Sequence, residues 1–373
     1  MKKEVFSWEE IVDDQLGRQI TGEKNLREAV FLCALGKLVI NAEKYSFNLL
    51  VHGASSGGKD WVIDRTLKLF NENTIWKRGR VTPKILNYWK PWEDFKISPM
   101  SWDDKVLYLP DISDGILNCG ALKVMCSEEN TLVTLYNTKV IDIEIPGNPV
   151  IIATTANATP NEEIVNRFSF IRVDEDERQT KNIIQFTKEP YTNDAKNFMQ
   201  FLKRCRVEIP KEMRKKIADV WPTKLIRERR NFPRFLDWVR AVAAFHQRGK
   251  NGWLEKAEEL TIRADWKDYD IAKDVFMNLY CGKKEIPLNS QLQAIVEMLE
   301  KEENPLTTRE ILDKMGSYIT IQNFRGHLNN LEGLRILDKF SQGGGYHYSD
   351  QKWAISEEFI NKEPIKLPNS DDM

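Results

Sequence analysis

The sequence predicts an α/β domain on a mainly parallel sheet, closed by a helical region and followed by a small helical module with a β-hairpin. Three observations carry that prediction. From about residue 46 to 178, apolar strand-like runs alternate with helix-like runs, the pattern of a parallel sheet with crossover helices. Residues 49–70, LLVHGASSGGKDWVIDRTLKLF, join a strand, a glycine-rich turn and an amphipathic helix. Beyond about residue 190 the apolar spacing turns wholly helical, as in FPRFLDWVRAVAAFHQ.

Bulk properties narrow the classes. The 373 residues, 41% hydrophobic and 30% charged, suit two or three globular domains. A formal net charge of -1 makes any basic surface a local one. The five cysteines show no CxxC pair, which argues against a disulfide framework or zinc site and for a reducing cytosol. No apolar run approaches the ~18 residues of a membrane span, and the start lacks a signal-peptide core.

Taken in order, residues 1–45 read as a helical N-terminal segment, with Asn25 to Ala42 one long helix leading to a strand at Phe47 to Val51. Residues 46–190 form the α/β core, with further strands at Lys105 to Leu109 and Asn148 to Thr155. Between these two, Thr131 to Gly147 carries β-branched residues on both sides of Asn137-Thr138 and reads as a β-hairpin. Residues 191–282 form the helical region. Residues 288–355 read as helices at Gln291 to Lys301, from Thr307 or Thr308, and at Ile321 to Leu331, then two strands around Gly343-Gly344-Gly345. Three helices and a hairpin are how a winged helix reads in sequence. Residues 356–373 read as a flexible tail.

The chemistry concentrates in the core. In GASSGGKD, Gly53, Ser55, Ser56, Gly57 and Gly58 can turn backbone N–H groups around a phosphate, and Lys59 would neutralise its outer oxygens. Asp60 stands where such loops usually carry Ser or Thr. Its carboxylate is either a hard-oxygen ligand for Mg²⁺ or a residue that favours a helix start. Val62, Ile63, Thr66, Leu67 and Phe70 give the following helix a buried face.

A triphosphatase with this loop needs a second strand ending in acid. KVLYLPD supplies Asp111, with Pro110 in the place of the usual first carboxylate. Asp60 and Pro110 then read as one exchange, Asp60 taking the metal duty and Asp111 polarising water, with Asp60 and Asp111 together the candidates to hold Mg²⁺. The next strand ends on Thr154, Thr155 and Asn157, and Asn157 is the candidate to orient water or touch a γ-phosphate. Arg167, after a short amphipathic segment, points either toward a neighbour's nucleotide or into a surface ion pair.

In this order the motifs resemble an AAA+ ATPase, more narrowly the MCM-like helicase domains of plasmid, phage and mobile-element replication proteins, over roughly residues 25–250. The resemblance implies that Gly53, Gly58 and Lys59 match the Walker A loop and Asp111 the Walker B acid. Asn157 matches sensor 1, Arg167 the arginine finger and Arg234 the sensor-2 arginine of a lid. It implies ATP and Mg²⁺ as cofactors and a homo-oligomeric, commonly hexameric, ring in which both arginines act across subunits. The hairpin falls where the family carries a DNA-gripping insertion, which makes Lys139 the pore contact. A primase or polymerase partner and the cytoplasm of a prokaryotic or virus-infected prokaryotic cell follow from the same resemblance. No primase motifs precede the core.

Between Thr223 and Lys250 eight basic residues gather against Glu228 and Asp237, a surface for DNA, nucleotide or an acidic neighbour. In the third helix of the C-terminal module, Ile321, Phe324, Leu328 and Leu331 form the core stripe. Gln322, Asn323 and Arg325 take polar positions able to reach DNA, with Lys339, Gln342, Tyr346 and His347 in the wing. The isolated histidines form no metal spacing. The expected function is an ATP-dependent ring helicase or translocase. The alternative is a weakly or non-hydrolysing, nucleotide-controlled initiator, loader or regulator. An AAA+ remodeller of proteins is a third and weaker reading.

Overall fold

The computed structural model describes residues 5–79, 81–82, 101–127, 131–136, 139–144, 147–223, 227–250, 253–254, 260–280, 286–316, 320–341, 351–360 and 366–373. After a π-helical turn at Glu10–Gln15 comes α1 (Lys24–Leu35), which feeds β1 (Leu49–His52), the phosphate loop and α2 (Lys59–Leu67). Next are β2 (Ile75–Lys77), β3 (Val106–Leu109), α3 (Asp114–Leu117) and α4 (Gly120–Met125). The hairpin β4 (Thr131–Tyr136) and β5 (Lys139–Glu144) leads to β6 (Val150–Thr155), α5 (Glu162–Val165) and β7 (Ser169–Arg172).

These strands make a five-stranded parallel sheet in the order β2-β3-β6-β1-β7. β1, β3 and β6 are buried along their whole length, as expected of parallel strands covered on both faces. The chain therefore has an α/β P-loop fold. The hairpin pairs Tyr136 with Lys139, so its two-residue connection is the expected Asn137-Thr138. Those two residues and the Lys139 side chain lie outside what the structure describes.

α6 (Glu177–Gln185), α7 (Asn193–Gln200), β8 (Cys205–Glu208), α8 (Lys211–Val220), α9 (Glu228–Phe245), β9 (Trp253–Leu254), β10 (Leu260–Arg263) and α10 (Trp266–Tyr280) follow. The wholly helical reading of this region is corrected by the three-stranded sheet β8-β10-β9. Its strands are short, and Leu260–Arg263 pairs with residues more than fifty positions upstream, a non-local pairing that periodicity does not carry.

The N-terminal segment, one face of the sheet and the region after residue 190 share a buried cluster. Phe6, Trp8, Phe31, Phe70, Phe198 and Phe245 belong to it, and Trp8, Phe31 and Phe245 meet tilted or edge-on at centroid distances of 5.2–5.7 Å. α1 ends at Leu35, short of Ala42. The Phe47 ring lies where a side chain on Gly36 would stand, 2.1 Å from the ideal Cβ position, and Val39 turns extended to bridge Cys205.

The C-terminal module contains α11 (Ser290–Leu299), β11 (Leu306–Thr307), α12 (Thr308–Met315), α13 (Ile321–Gly333), β12 (Leu337–Ser341), β13 (Gln351–Ile355) and α14 (Glu357–Ile360). Thr307 and Glu310 form a full capping box for α12. The helices and the β11-β13-β12 sheet enclose their own core around Phe324, Leu328, Leu331 and Trp353. Ile321, expected in that stripe, is instead 38% exposed, because it is the first residue of the helix and precedes the packed turn. The glycine run, Gln342, Tyr346 and His347 lie outside the described residues.

The expected flexible tail is also corrected over residues 366–373. Leu367 joins the main core, the Tyr269 hydroxyl donates to Pro368 O at 2.9 Å, and Ser370 bonds the Asp270 carboxylate at 3.0 and 2.5 Å. Polar composition suggested fraying, but one leucine and a set of backbone partners tie the end to α10.

Candidate functional site

The loop from Gly53 to Gly58 sits at the C-terminal edge of the sheet, between β1 and α2. Gly53 has φ 152°, and a Cβ there would lie 2.3 Å from Val173 Cγ2 and 2.9 Å from Glu175 Oε1. Gly58 caps α2 in the left-handed region at φ 82°. Only glycine meets both demands without strain. Ser56 carries a positive φ of 73°, a strained position of the kind found at ligand-binding turns.

Lys59 is buried, its ammonium donating to Gly53 O at 2.9 Å and Ala54 O at 2.8 Å. Burial holds its pKa below the usual value, while Asp60, Asp111 and Glu175 pull it back up. Three carboxylates thus act on one ammonium through space at the mouth of the loop.

Asp60 lies in the first turn of α2. Its Oδ1 accepts from the Tyr108 hydroxyl at 2.6 Å and the Thr154 hydroxyl at 2.8 Å. The Tyr108 phenol is driven well above its ordinary value, by burial first and then by this bond to a carboxylate. Thr154 Oγ1 in turn accepts from the Asp111 backbone N–H at 2.7 Å. A continuous chain therefore runs Tyr108–Asp60–Thr154–Asp111 across three neighbouring elements. Asp111 turns out of β3 with φ 49°, left-handed geometry that Asp tolerates better than most residues.

These residues fit a Mg²⁺–phosphate group. The donors are hard oxygens, and Mg²⁺ takes one or two carboxylates together with substrate phosphates rather than a full protein cage. Among the described residues, no group of three or more His, Cys, Asp or Glu side chains is placed to hold a metal ion.

Sequence reasoning missed three members of this site. Tyr108 read as one more apolar strand residue. Thr154 was noted as a polar tip, but Asn157 was preferred, and Asn157 is exposed beyond the strand end. Glu175 accepts from the Ala54 N–H at 2.5 Å and from Arg172 at 2.7 Å. These bonds, that to Ala54 first, hold its carboxyl below the ordinary range. In sequence Glu175 belongs to the acidic run DEDE, which looks like a solvated turn.

The arginines lie elsewhere. In β1 and β7, Leu49 is level with Ser169 and His52 with Arg172. Arg167, just before β7, is therefore at the opposite edge from the loop, about 17 Å of strand away for the five residues to Arg172 at ~3.3 Å each. It pairs with Glu163, which also binds Lys123 at 2.7 Å. Arg234 is 2% exposed, donating to Asn231 Oδ1 at 3.2 Å and Asn166 O at 3.1 Å beside the Tyr45 ring. The structure thus brings Arg167 and Arg234 together and separates both from Lys59. Arg234 is braced inside its own chain rather than projecting.

In the C-terminal module Gln322 and Asn323 are exposed on α13 and Arg325 is half-buried. Lys339 lies over the Trp353 ring, 5.3 Å from its centroid. His246, read as isolated, pairs with Asp268 at 2.8 Å. Lys224 of the basic span lies outside the described residues. No helix among the described residues is long and apolar enough to cross a membrane.

Residues 11–220 match the family model described as the MTBMA_p00010 P-loop domain. That span contains the sheet, the loop and the first part of the helical region. No curated protein matches the chain.

Proposed function

The chain belongs to the MTBMA_p00010 P-loop domain family, and from that footing we propose that it is an ATP-driven, ring-forming DNA translocase of the AAA+, MCM-like kind. The single observation that carries this reading is the division of the nucleotide machinery between two edges of one sheet. Lys59, Asp60 and Asp111 cluster at the loop, whereas Arg167 and Arg234 meet at the far edge. A triphosphate held by Lys59 is out of reach of its own Arg167, so a second copy must present that arginine to stabilise the transferring phosphoryl group.

In this reading the loop amides and Lys59 hold the phosphates, and Mg²⁺, when bound through Asp60, neutralises charge developing on them. Asp111 polarises the attacking water, while Thr154 keeps Asp60 and Asp111 in register. The hairpin β4–β5, inserted between the acidic strand and β6, grips DNA through the Lys139 end. Its exposed Val133 and Val140, 62% and 69% accessible, leave it a projecting element. The C-terminal module acts as a winged helix, with Gln322, Asn323 and Arg325 on its third helix facing DNA.

A second reading has one specific observation in its favour. Asp60 Oδ1 is already engaged by Tyr108 and Thr154, and Pro110 stands in place of the first of the two acids that would follow the strand. This suits a nucleotide-controlled assembly that turns over slowly.

Electron microscopy with a non-hydrolysable ATP analogue and forked DNA, paired with phosphate-release and unwinding assays, separates the two. The first reading expects rings, turnover and unwinding that disappear in Lys59→Ala. Rings without turnover select the second reading, and monomers with no Lys59-dependent activity defeat both.

A further inference from the structure

A cleft of about 350 Å³ opens where α5, the start of α9 and the C-terminal module meet. Its walls carry Arg227, Arg229, Arg230 and Arg335 against the single carboxylate of Glu162, over an apolar floor that includes Val165, Leu334 and Phe359. Arg229, Arg230 and Arg335 are exposed. On a chain of net charge -1 this is a marked local excess of cation.

The placement also runs against helix electrostatics. Arg227 is the N-cap of the eighteen-residue α9, and Arg229 and Arg230 lie in its first turn, where the helix already presents positive charge and cations are unfavourable. The acid of that turn, Glu228, is turned inward, only 4% exposed, held by the Asn231 amide at 3.2 and 3.3 Å and paired with Arg227 at 3.4 Å. The outward face of the helix start is thus all cation. Cations kept at a helix start against this rule are the kind of local conflict found at functional sites.

We propose that this cleft is a second nucleic-acid track, taking the phosphate backbone and a base of single-stranded DNA between the P-loop core and the C-terminal module. Guanidinium forks suit phosphate oxygens, and the Phe359 ring with its aliphatic neighbours suits the face of a base. The track goes beyond the translocase reading and rests only on its choice of DNA as partner, not on the hairpin or on hydrolysis.

The test is anisotropy of a short fluorescent oligothymidylate with the full chain, without nucleotide, as salt is raised. The variant is Arg229→Gln/Arg335→Asn, in which Asn suits the left-handed backbone of residue 335, at φ 56°. Its log-affinity slope against log salt should shrink by about 1.4, and its affinity should fall roughly 10- to 30-fold at about 0.1 M salt. The charge-keeping Arg229→Lys/Arg335→Lys protein should hold the wild-type slope, which separates charge from folding. Unchanged affinity and slope in the neutral variant overturn the proposal. So does wild-type DNA binding joined to weakened ATP-analogue binding, which would assign the arginines to nucleotide. Lys59→Ala, assayed for hydrolysis alone, tests the translocase reading separately.

Discussion

The two edges of the central sheet differ in how fully the chain satisfies its own charges. At the loop edge Lys59 has two carbonyls, Asp60 has two hydroxyl donors, and Glu175 has a backbone amide and Arg172. At the arginine edge, Arg167 and Lys123 share Glu163, and Arg230 joins them in lining a cleft of about 460 Å³ beside Tyr45. The first edge is preorganised to receive phosphates. The second sets Lys123, Arg167 and Arg230 against Glu163 and Glu43. In the proposed ring, a nucleotide site divided this way would be completed where two such edges face each other.

The largest break in this comparison comes from Lys59→Ala. It removes the one ammonium at the loop and leaves Asp60, Asp111 and Glu175 to repel a triphosphate, so hydrolysis should fall by at least about 10²-fold. Fluorescent ATP-analogue binding and phosphate release measure it. Retained binding would mean that the loop is structural.

Arg167→Ala breaks the other edge. Nucleotide affinity should stay within a few-fold, while the turnover rate drops by about 10³ if the residue acts on a neighbour's phosphate. Mixing Arg167→Ala with Lys59→Ala subunits should restore part of the activity, because some interfaces then pair an intact loop with an intact arginine. No recovery on mixing would return Arg167 to its role as partner of Glu163. Arg234 is a poor probe by comparison: truncating a buried guanidinium strips Asn166 O and Asn231 of their partner and threatens the fold.

Much of the loop edge was legible in the sequence because its parts are local. Glycines, Lys59 and the α2 face lie within eighteen residues, and their spacing alone places them. Asp111 follows an apolar strand whose end is equally plain. What the sequence could not show is what the sheet order creates. Tyr108 and Thr154 reach Asp60 because β3 and β6 lie side by side next to β1, and Glu175 reaches Ala54 because β7 pairs on the other side. The shared core escaped for the same reason, since Trp8, Phe31 and Phe245 meet only in three dimensions. The short strands β8 and β10 gave no clear period-2 signal, and the docked tail depends on one leucine in a polar run.

Tyr108→Phe sharpens the loop edge without removing a charge. It takes one of two donors from Asp60 while keeping the ring in the core. If Asp60 holds Mg²⁺, losing an orienting partner of this kind should weaken apparent Mg²⁺ affinity by about 10-fold. ATP-analogue binding in the absence of metal should be unchanged. Titrating Mg²⁺ against analogue binding reads the difference. Equal midpoints in both proteins would make Asp60 a helix-start residue and hand the metal to the phosphates alone.

The smallest effect is expected from Glu175→Gln, and it is the one with a pH signature. The Glu175 carboxyl is held below its ordinary 4.5 by the Ala54 amide and Arg172. A group with a depressed folded pKa stabilises the fold above its unfolded value and loses that contribution as pH falls through the folded value. The wild type should therefore melt above the Gln variant by a constant margin from about pH 6 upward, and the margin should close below about pH 4.5. Because the side chain is partly solvent-exposed, the margin should be small, on the order of 1 kcal/mol or less. Hydrogen exchange at the Ala54 amide should rise in the variant under the same conditions. If the margin persists into acid, packing against Gly53 rather than charge holds the loop, and the loop edge is less electrostatically matched than its distances suggest.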